Sequence, residues 1–163
     1  MITQNNEALV RSYIEEVFNN RNLAAIADFL APDEVDHTLP PGMPTNITGT
    51  TQVISMFLKA FPDLRITIDE SVAEADKVVI RYTSHGKQQG PFMVIPPTGR
   101  EIAVSSYLTA RIADGKIVEF WGLDDQLGML QQIGVIPAMF GLALFVGLGA
   151  GIGLTVLLRK LFS

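Results

Sequence analysis

Gly90 to Asp125, GPFMVIPPTGREIAVSSYLTARIADGKIVEFWGLDD, carries the pattern that decides the fold. Thr98-Gly99 closes a turn, after which Ile102, Val104, Ser106, Leu108, Ala110 and Ile112 alternate with a second set of residues. A period of two predicts a strand with two different faces. Asp114-Gly115 predicts a two-residue hairpin turn, because glycine accepts the positive φ that such a turn requires. The return strand, Lys116 to Leu123, carries Trp121 and delivers Asp124 and Asp125 to its end. Two carboxylates at the end of an apolar run are well placed to supply a buried acid or base.

Working outward, Leu64 to Glu74 and Lys77 to Gln88 also read as strands, with a turn at Ala75-Asp76, and the hairpin itself spans Arg100 to Ala113 and Lys116 to Leu123. Upstream, Leu9, Val10, Tyr13, Ile14, Val17 and Phe18 recur at helical spacing and predict an amphipathic helix from about Asn5 to Asn19. A short second helix, Leu23 to Leu30, can be capped by Asn22. The Pro-, Gly- and Thr-rich stretch Asp33 to Gly49 reads as a long connection with an extended piece around His37. Thr50 or Thr51 can cap a third helix with Val53, Ile54, Phe57 and Leu58 on its buried side, ending at Pro62. Helices followed by antiparallel strands predict an α+β fold: three N-terminal helices on a curved antiparallel sheet, with an apolar pocket between them.

The 163 residues suffice for one domain plus an appendage. No cysteine is present, so disulfides, thiolate catalysis and cysteine-ligated metals are excluded. The net charge of −5 is unevenly spread: every acidic residue lies at or before Asp125, and Arg159 and Lys160 are the only charges after it. An acidic body without a basic patch argues against nucleic acid as a partner. His37 and His85 stand far apart in sequence with no carboxylate cluster, so no metal site is expected. No Gly-rich loop joins a strand to a helix, so no nucleotide cofactor is expected either. The N-terminus lacks the apolar core of a secretory signal, which predicts a cytoplasmic body. Asn46-Ile47-Thr48 matches the glycosylation triplet and, without an export signal, reads as coincidence.

The division falls at Pro137, giving a domain over 1–137 and a hydrophobic tail over 138–163. Ala138 to Leu158 contains no charged residue. At about 1.5 Å per residue, a helix of that length crosses a hydrocarbon core of about 30 Å. A transmembrane anchor is therefore expected, with packing on a partner subunit, closure of the pocket's own mouth, or a chance extension as the competing readings. Ala143, Gly147, Gly151 and Thr155 form a small-residue ridge that lets two such helices approach, so a homo-oligomer is expected.

The ordered set Val35-Asp36-His37, Phe61-Pro62-Asp63-Leu64-Arg65, Asp76-Lys77-Val78-Val79, Ile95-Pro96-Pro97-Thr98-Gly99, Gly115-Lys116-Ile117-Val118-Glu119 with Trp121, and Asp125 with Leu127 to Gly134 resembles the SnoaL-like polyketide cyclases, or ester cyclases, of the nuclear-transport-factor-2-like superfamily. The resemblance runs from about Asn6 to Pro137 and implies a cone-shaped α+β domain. It also implies acid/base chemistry without a cofactor, an intramolecular aldol cyclisation or an isomerisation, on a hydrophobic carbonyl compound. The superfamily also contains plain binding proteins, so fold alone does not decide between catalysis and binding.

By the same resemblance, the acid four positions after the Trp is the general acid/base, and Asp125 stands there. Its competing role is the N-cap of a helix beginning at Gln126. Asp124 lies on the opposite side of an ideal strand and reads as the solvated or capping member of the pair. His37 matches a histidine that donates to a substrate carbonyl or relays a proton, with a structural role in a Pro-rich loop as the alternative. The histidine that the resemblance implies ahead of the Pro-Pro-Thr-Gly loop is replaced by Gln88, which hydrogen-bonds without taking up a proton, while His85 lies three residues earlier. Trp121, Tyr107, Phe57, Phe92, Met93 and Tyr13 are candidate walls for a flat ring system. Glu119 shares the face of Trp121 on a regular strand and needs a partner, unless a bulge at Gly122 changes the parity.

Overall fold

The structure, a computed structural model, describes residues 2–135. Helix α1 (Ile2–Tyr13) continues into a π-helical turn, Ile14–Asn19. A 3₁₀ turn, Leu23–Ala25, leads into α2 (Ile26–Phe29). Strand β1 (Leu30–Asp36) follows, then α3 (Ile47–Ala60), β2 (Arg65–Glu74), β3 (Lys77–Lys87), β4 (Glu101–Ala113), β5 (Lys116–Asp124) and α4 (Gln126–Gln132). Three helical segments before a run of strands give the expected α+β class. The expected tail helix over 138–158, with its membrane contact, lies outside the described residues. Among the described residues no helix is long and apolar enough to cross a membrane.

Val10, Tyr13, Ile14 and Val17, predicted as the apolar face of α1, are all buried against the sheet cluster of Ile66, Val78, Ile80, Ala110 and Phe120. The Asp114-Gly115 turn has φ values of 51° and 73°, the two positive angles that a two-residue turn of this kind needs. The sheet order is β1-β5-β4-β3-β2. All pairs are antiparallel except β1, which runs parallel to β5, so the expected antiparallel sheet is a mixed one. The extended piece expected around His37 is the end of β1, with His37 one residue past it.

Helix α3 starts earlier than expected. Asn46, not Thr50 or Thr51, is its N-cap, accepting a hydrogen bond from the Thr48 amide at 3.0 Å. Thr50 is thereby moved into the helix, where it is buried facing β1. In β5, Arg111 pairs with Glu119 but Ile112 pairs with Ile117, so Val118 is an extra, bulged residue. A bulge of one residue reverses the in–out parity of everything after it. Ile117 points in, and Phe120, not Glu119 or Trp121, is the next residue to do so.

Candidate functional site

Between the helices and the inner face of the sheet lies a cavity of about 550 Å³. Its walls are largely apolar: Ile14, Phe18, Ile54, Phe57, Ile66, Phe92, Ile102, Val104, Leu108, Phe120 and Met129. The polar lining comprises Tyr13, Asp36, Thr38, Thr50, Tyr82, Ser84, Ser106, Asp124, Asp125 and Gln126. Among the described residues, three carboxylates therefore face the cavity and no Lys, Arg or His does. Among the described residues no group of three or more His, Asp or Glu side chains is arranged to hold a metal ion.

Strand alternation explains how these groups converge. On β1, Glu34 and Asp36 point inward while Val35 faces out. On β3, Tyr82 and Ser84 continue the inward face of Val78 and Ile80. Ser106 on β4 lies opposite both Tyr82 and Asp124 in the ladder. The Tyr82 hydroxyl donates to Asp124 Oδ1 at 3.3 Å. Burial, and then the Asp124 charge, push the Tyr82 phenol well above its ordinary range, although a hydrogen bond with Ser106 works against this. Burial, then the Asp36 charge, raise the Tyr13 phenol in the same sense. Both phenols are therefore protonated donors across the physiological range.

Asp36 is 6% exposed and well supported. Its Oδ1 accepts from the Thr38 amide at 2.8 Å and the Thr38 hydroxyl at 2.6 Å. Its Oδ2 lies 3.3 Å from the Thr50 hydroxyl, which is also 2.5 Å from Glu34 Oε1. Glu34 is completely buried, and its Oε2 has no hydrogen-bond partner among the described residues.

Of the candidates read from the sequence, Tyr13, Phe57, Phe92, Met93 and Asp125 line the cavity. Phe57 and Phe92 pack with ring centroids 5.0 Å apart. Met93, at φ 53° and 64% exposed, belongs to the mouth. Asp125 is the N-cap of α4, its Oδ1 accepting from the Gly128 amide at 2.8 Å. Asp124 was expected to point away. It faces the cavity instead, because the Val118 bulge puts Phe120, Gly122 and Asp124 on the inner side.

The same parity change corrects the expectation that Trp121 lines the pocket. Trp121 is on the outer face, stacked on His37 with centroids 5.2 Å apart and planes 12° from parallel. His37 follows Asp36 outward, and its Nε2 lies 2.8 Å from Glu119 Oε1. Glu119 Oε2 accepts from Arg111 at 2.6 and 2.8 Å, which supplies the partner that its apolar strand required. The hydrogen bond to His37, then that to Arg111, hold the Glu119 carboxyl below its ordinary range.

Tyr107 is also outside the cavity and 52% exposed, since it lies between the inward Ser106 and Leu108. His85 is exposed on the outer side of β3, one residue past the inward Ser84. Gln88 is buried but does not line the cavity. Its amide donates to Pro96 O at 3.2 Å and accepts from the Thr98 hydroxyl at 2.7 Å, tying down the loop that carries Phe92 and Met93. The structure thus separates His37, Trp121, Tyr107, His85 and Gln88 from the cavity that holds the other candidates.

Asp36, Tyr82, Ser106, Thr50 and Glu34 were not foreseen. For Tyr82 a signal existed, since Val78, Ile80 and Tyr82 alternate on one strand. For Asp36 and Glu34 the signal was hidden by the Pro-rich context of β1.

A family described as SnoaL-like polyketide cyclase matches residues 8–133. TsrD from Streptomyces laurentii is 28% identical, superposes with a TM-score of 0.74, and is covered over 96% of its chain by 81% of this one. IdmH from Streptomyces antibioticus, a proposed polyketide cyclase, is 32% identical with a TM-score of 0.70, over 80% of this chain and 99% of that one. AclR from Streptomyces galilaeus, a proposed hydroxylase, is 28% identical with a TM-score of 0.72, over 81% and 97% of the two chains. No curated protein matches. With 126 consecutive residues under the family match and a neighbour at 32% identity across most of its length, the chain belongs to the SnoaL-like polyketide cyclase family.

Proposed function

We propose that the domain catalyses acid/base chemistry on a hydrophobic carbonyl compound, an intramolecular aldol cyclisation or an isomerisation. The observation that carries this reading is the meeting of cavity-facing carboxylates with two protonated phenols in a largely apolar cavity. Asp124 is the acid/base. Its carboxylate takes the proton α to the substrate carbonyl, and the resulting carbon nucleophile attacks an acceptor carbonyl. The protonated Asp124 then returns the proton to the new oxyanion, so the proton count closes without any further group. Tyr82, hydrogen-bonded to Asp124, and Tyr13 are the phenol donors of the same cavity, groups of the kind that stabilise an oxyanion as its charge develops.

Asp125, matching the family acid by sequence, is engaged as a helix cap and contributes chiefly by holding the 124–126 corner. Gln88 in the position of a family histidine does not weaken this reading, because its side chain serves the loop and not the cavity. The three carboxylates, with no lining cation among the described residues, favour neutral esters and ketones over free acids as ligands. A tether through residues 138–158 and pairing of the domain remain part of the proposal on the strength of the uncharged tail alone.

The test follows α-proton exchange in D₂O by NMR with a panel of aromatic ketones and polyketide-like esters. Wild type is expected to exchange the α-proton. Asp124→Asn should lose about 10² to 10⁴ of the rate, the usual worth of a positioned general base. His37→Asn should change it by less than about twofold, within the ±0.5 kcal/mol usual for surface substitutions. Binding without exchange in any compound would instead assign a carrier role.

A further inference from the structure

We propose that Glu34 is held as a neutral carboxylic acid that donates its O–H to Thr50, so that Thr50 donates to Asp36 and fixes that carboxylate on the cavity wall. This makes Glu34 and Thr50 positioning residues for Asp36, a second carboxylate base facing the same cavity as Asp124, and it rests on the reading of the cavity as an acid/base site.

A count of protons at one hydroxyl leads to this assignment. Thr50 has a single hydroxyl proton, yet it lies 2.5 Å from Glu34 Oε1 and 3.3 Å from Asp36 Oδ2. With both acids ionised, that proton satisfies one contact and the other becomes oxygen against oxygen, without a hydrogen between them. Glu34 would also bury a full charge whose second oxygen has no donor. Placing a proton on Glu34 Oε1 resolves both problems. Glu34 donates to Thr50, Thr50 donates to Asp36, and the unpartnered Oε2 becomes a neutral carbonyl oxygen.

The two acids are clearly unequal. Asp36 collects an amide and a hydroxyl from Thr38 as well as Thr50, and it lines the cavity. Glu34 has Thr50 alone, is completely buried, and forms no ion pair among the described residues. The titratable groups acting around it are Asp36 on its own strand and Tyr13 on α1, with Thr50 the polar group presented by α3. Burial pushes the Glu34 carboxyl up and the Asp36 charge adds to this, while the Thr50 hydrogen bond pulls the other way. The helix boundary matters here: because Asn46 takes the cap, Thr50 is free to bridge the two acids.

The decisive measurement is carboxyl ¹³C NMR of the full chain labelled at glutamate. One glutamate signal should stand at the protonated position at neutral pH and vanish in Glu34→Gln. If every glutamate carboxyl is ionised at neutral pH, the proposal is overturned. Exchange kinetics provide a second arm. Glu34→Gln, whose amide N–H replaces the acid O–H, should keep α-proton exchange within about threefold of wild type. Thr50→Val should lower it about tenfold, the worth of one hydrogen bond to a charged group, and Thr50→Ser should restore it. A Thr50→Val protein as active as wild type overturns the positioning role. Should wild type exchange no α-proton at all, the acid/base reading fails by itself, and the NMR signal still decides where the proton lies.

Discussion

Residues at the end of β1 and the residue just past it meet opposite electrostatic fates. Glu34 and Asp36 point into the domain, while His37 turns out to pair with Glu119. Glu119 is held below its ordinary range by His37 and Arg111, so its contribution to stability is present at neutral pH and is lost as pH falls through the lowered value. Glu34 behaves in the opposite way. Its carboxyl is raised, so stability is complete below the ordinary glutamate range and declines as pH rises toward the folded-state value. Glu34→Gln removes that decline. Thermal melts from about pH 4, below the ordinary Glu pKa, to about pH 8, above that of His, should show the variant matching wild type in acid. It should become progressively more stable than wild type toward neutrality. A constant difference across that range would place Glu34 as an ordinary ionised acid.

At the scale of elements, the end of β5 and the start of α4 form the corner on which the chemistry depends. The Val118 bulge directs Asp124 inward, and the next residue, Asp125, closes the first turn of α4 through Gly128. Asp125→Ala should cost about 1 kcal/mol through the lost cap, seen as a fall in Tm of about 2–4 °C for a domain of this size. Because the cap also holds the corner, α-proton exchange should fall, but far less than in Asp124→Asn. A larger loss in Asp125→Ala than in Asp124→Asn would exchange the two roles. The turns and the inward set Ile102 to Ile112 were legible because they rest on local periodicity and on Asp-Gly chemistry. The bulge was not, since no glycine or proline marks Val118 and only the pairing of Ile112 with Ile117 reveals it.

For the whole molecule, the sheet separates an inner cavity from an outer aromatic and charged surface. Phe57 lies on the cavity side and Trp121 on the other, although both were equal candidates by residue type. Phe57→Ala should weaken binding of a hydrophobic ligand about tenfold, near 1.4 kcal/mol. Trp121→Ala should leave affinity within about twofold, since exposed substitutions away from a site shift free energies by less than about 0.5 kcal/mol. Fluorescence or calorimetric titration below the melting temperature distinguishes them. Equal losses in both variants would mean that ligand is bound on the outer face.

The sequence by itself determined the helices-then-strands order, the hairpin turns, the apolar identity of the pocket and the resemblance that places the family. These follow from periodicity, turn chemistry and ordered short motifs, all of which are local along the chain. Only the tertiary structure decided which side chains share the cavity. The parallel pairing of β1 with β5 brought in Asp36 and Glu34, and the bulge exchanged Trp121 for Asp124. The start of α3 at Asn46 delivered Thr50 to the two acids. Each depends on register between segments distant in sequence, and a shift of one residue sends a side chain to the opposite face of the sheet.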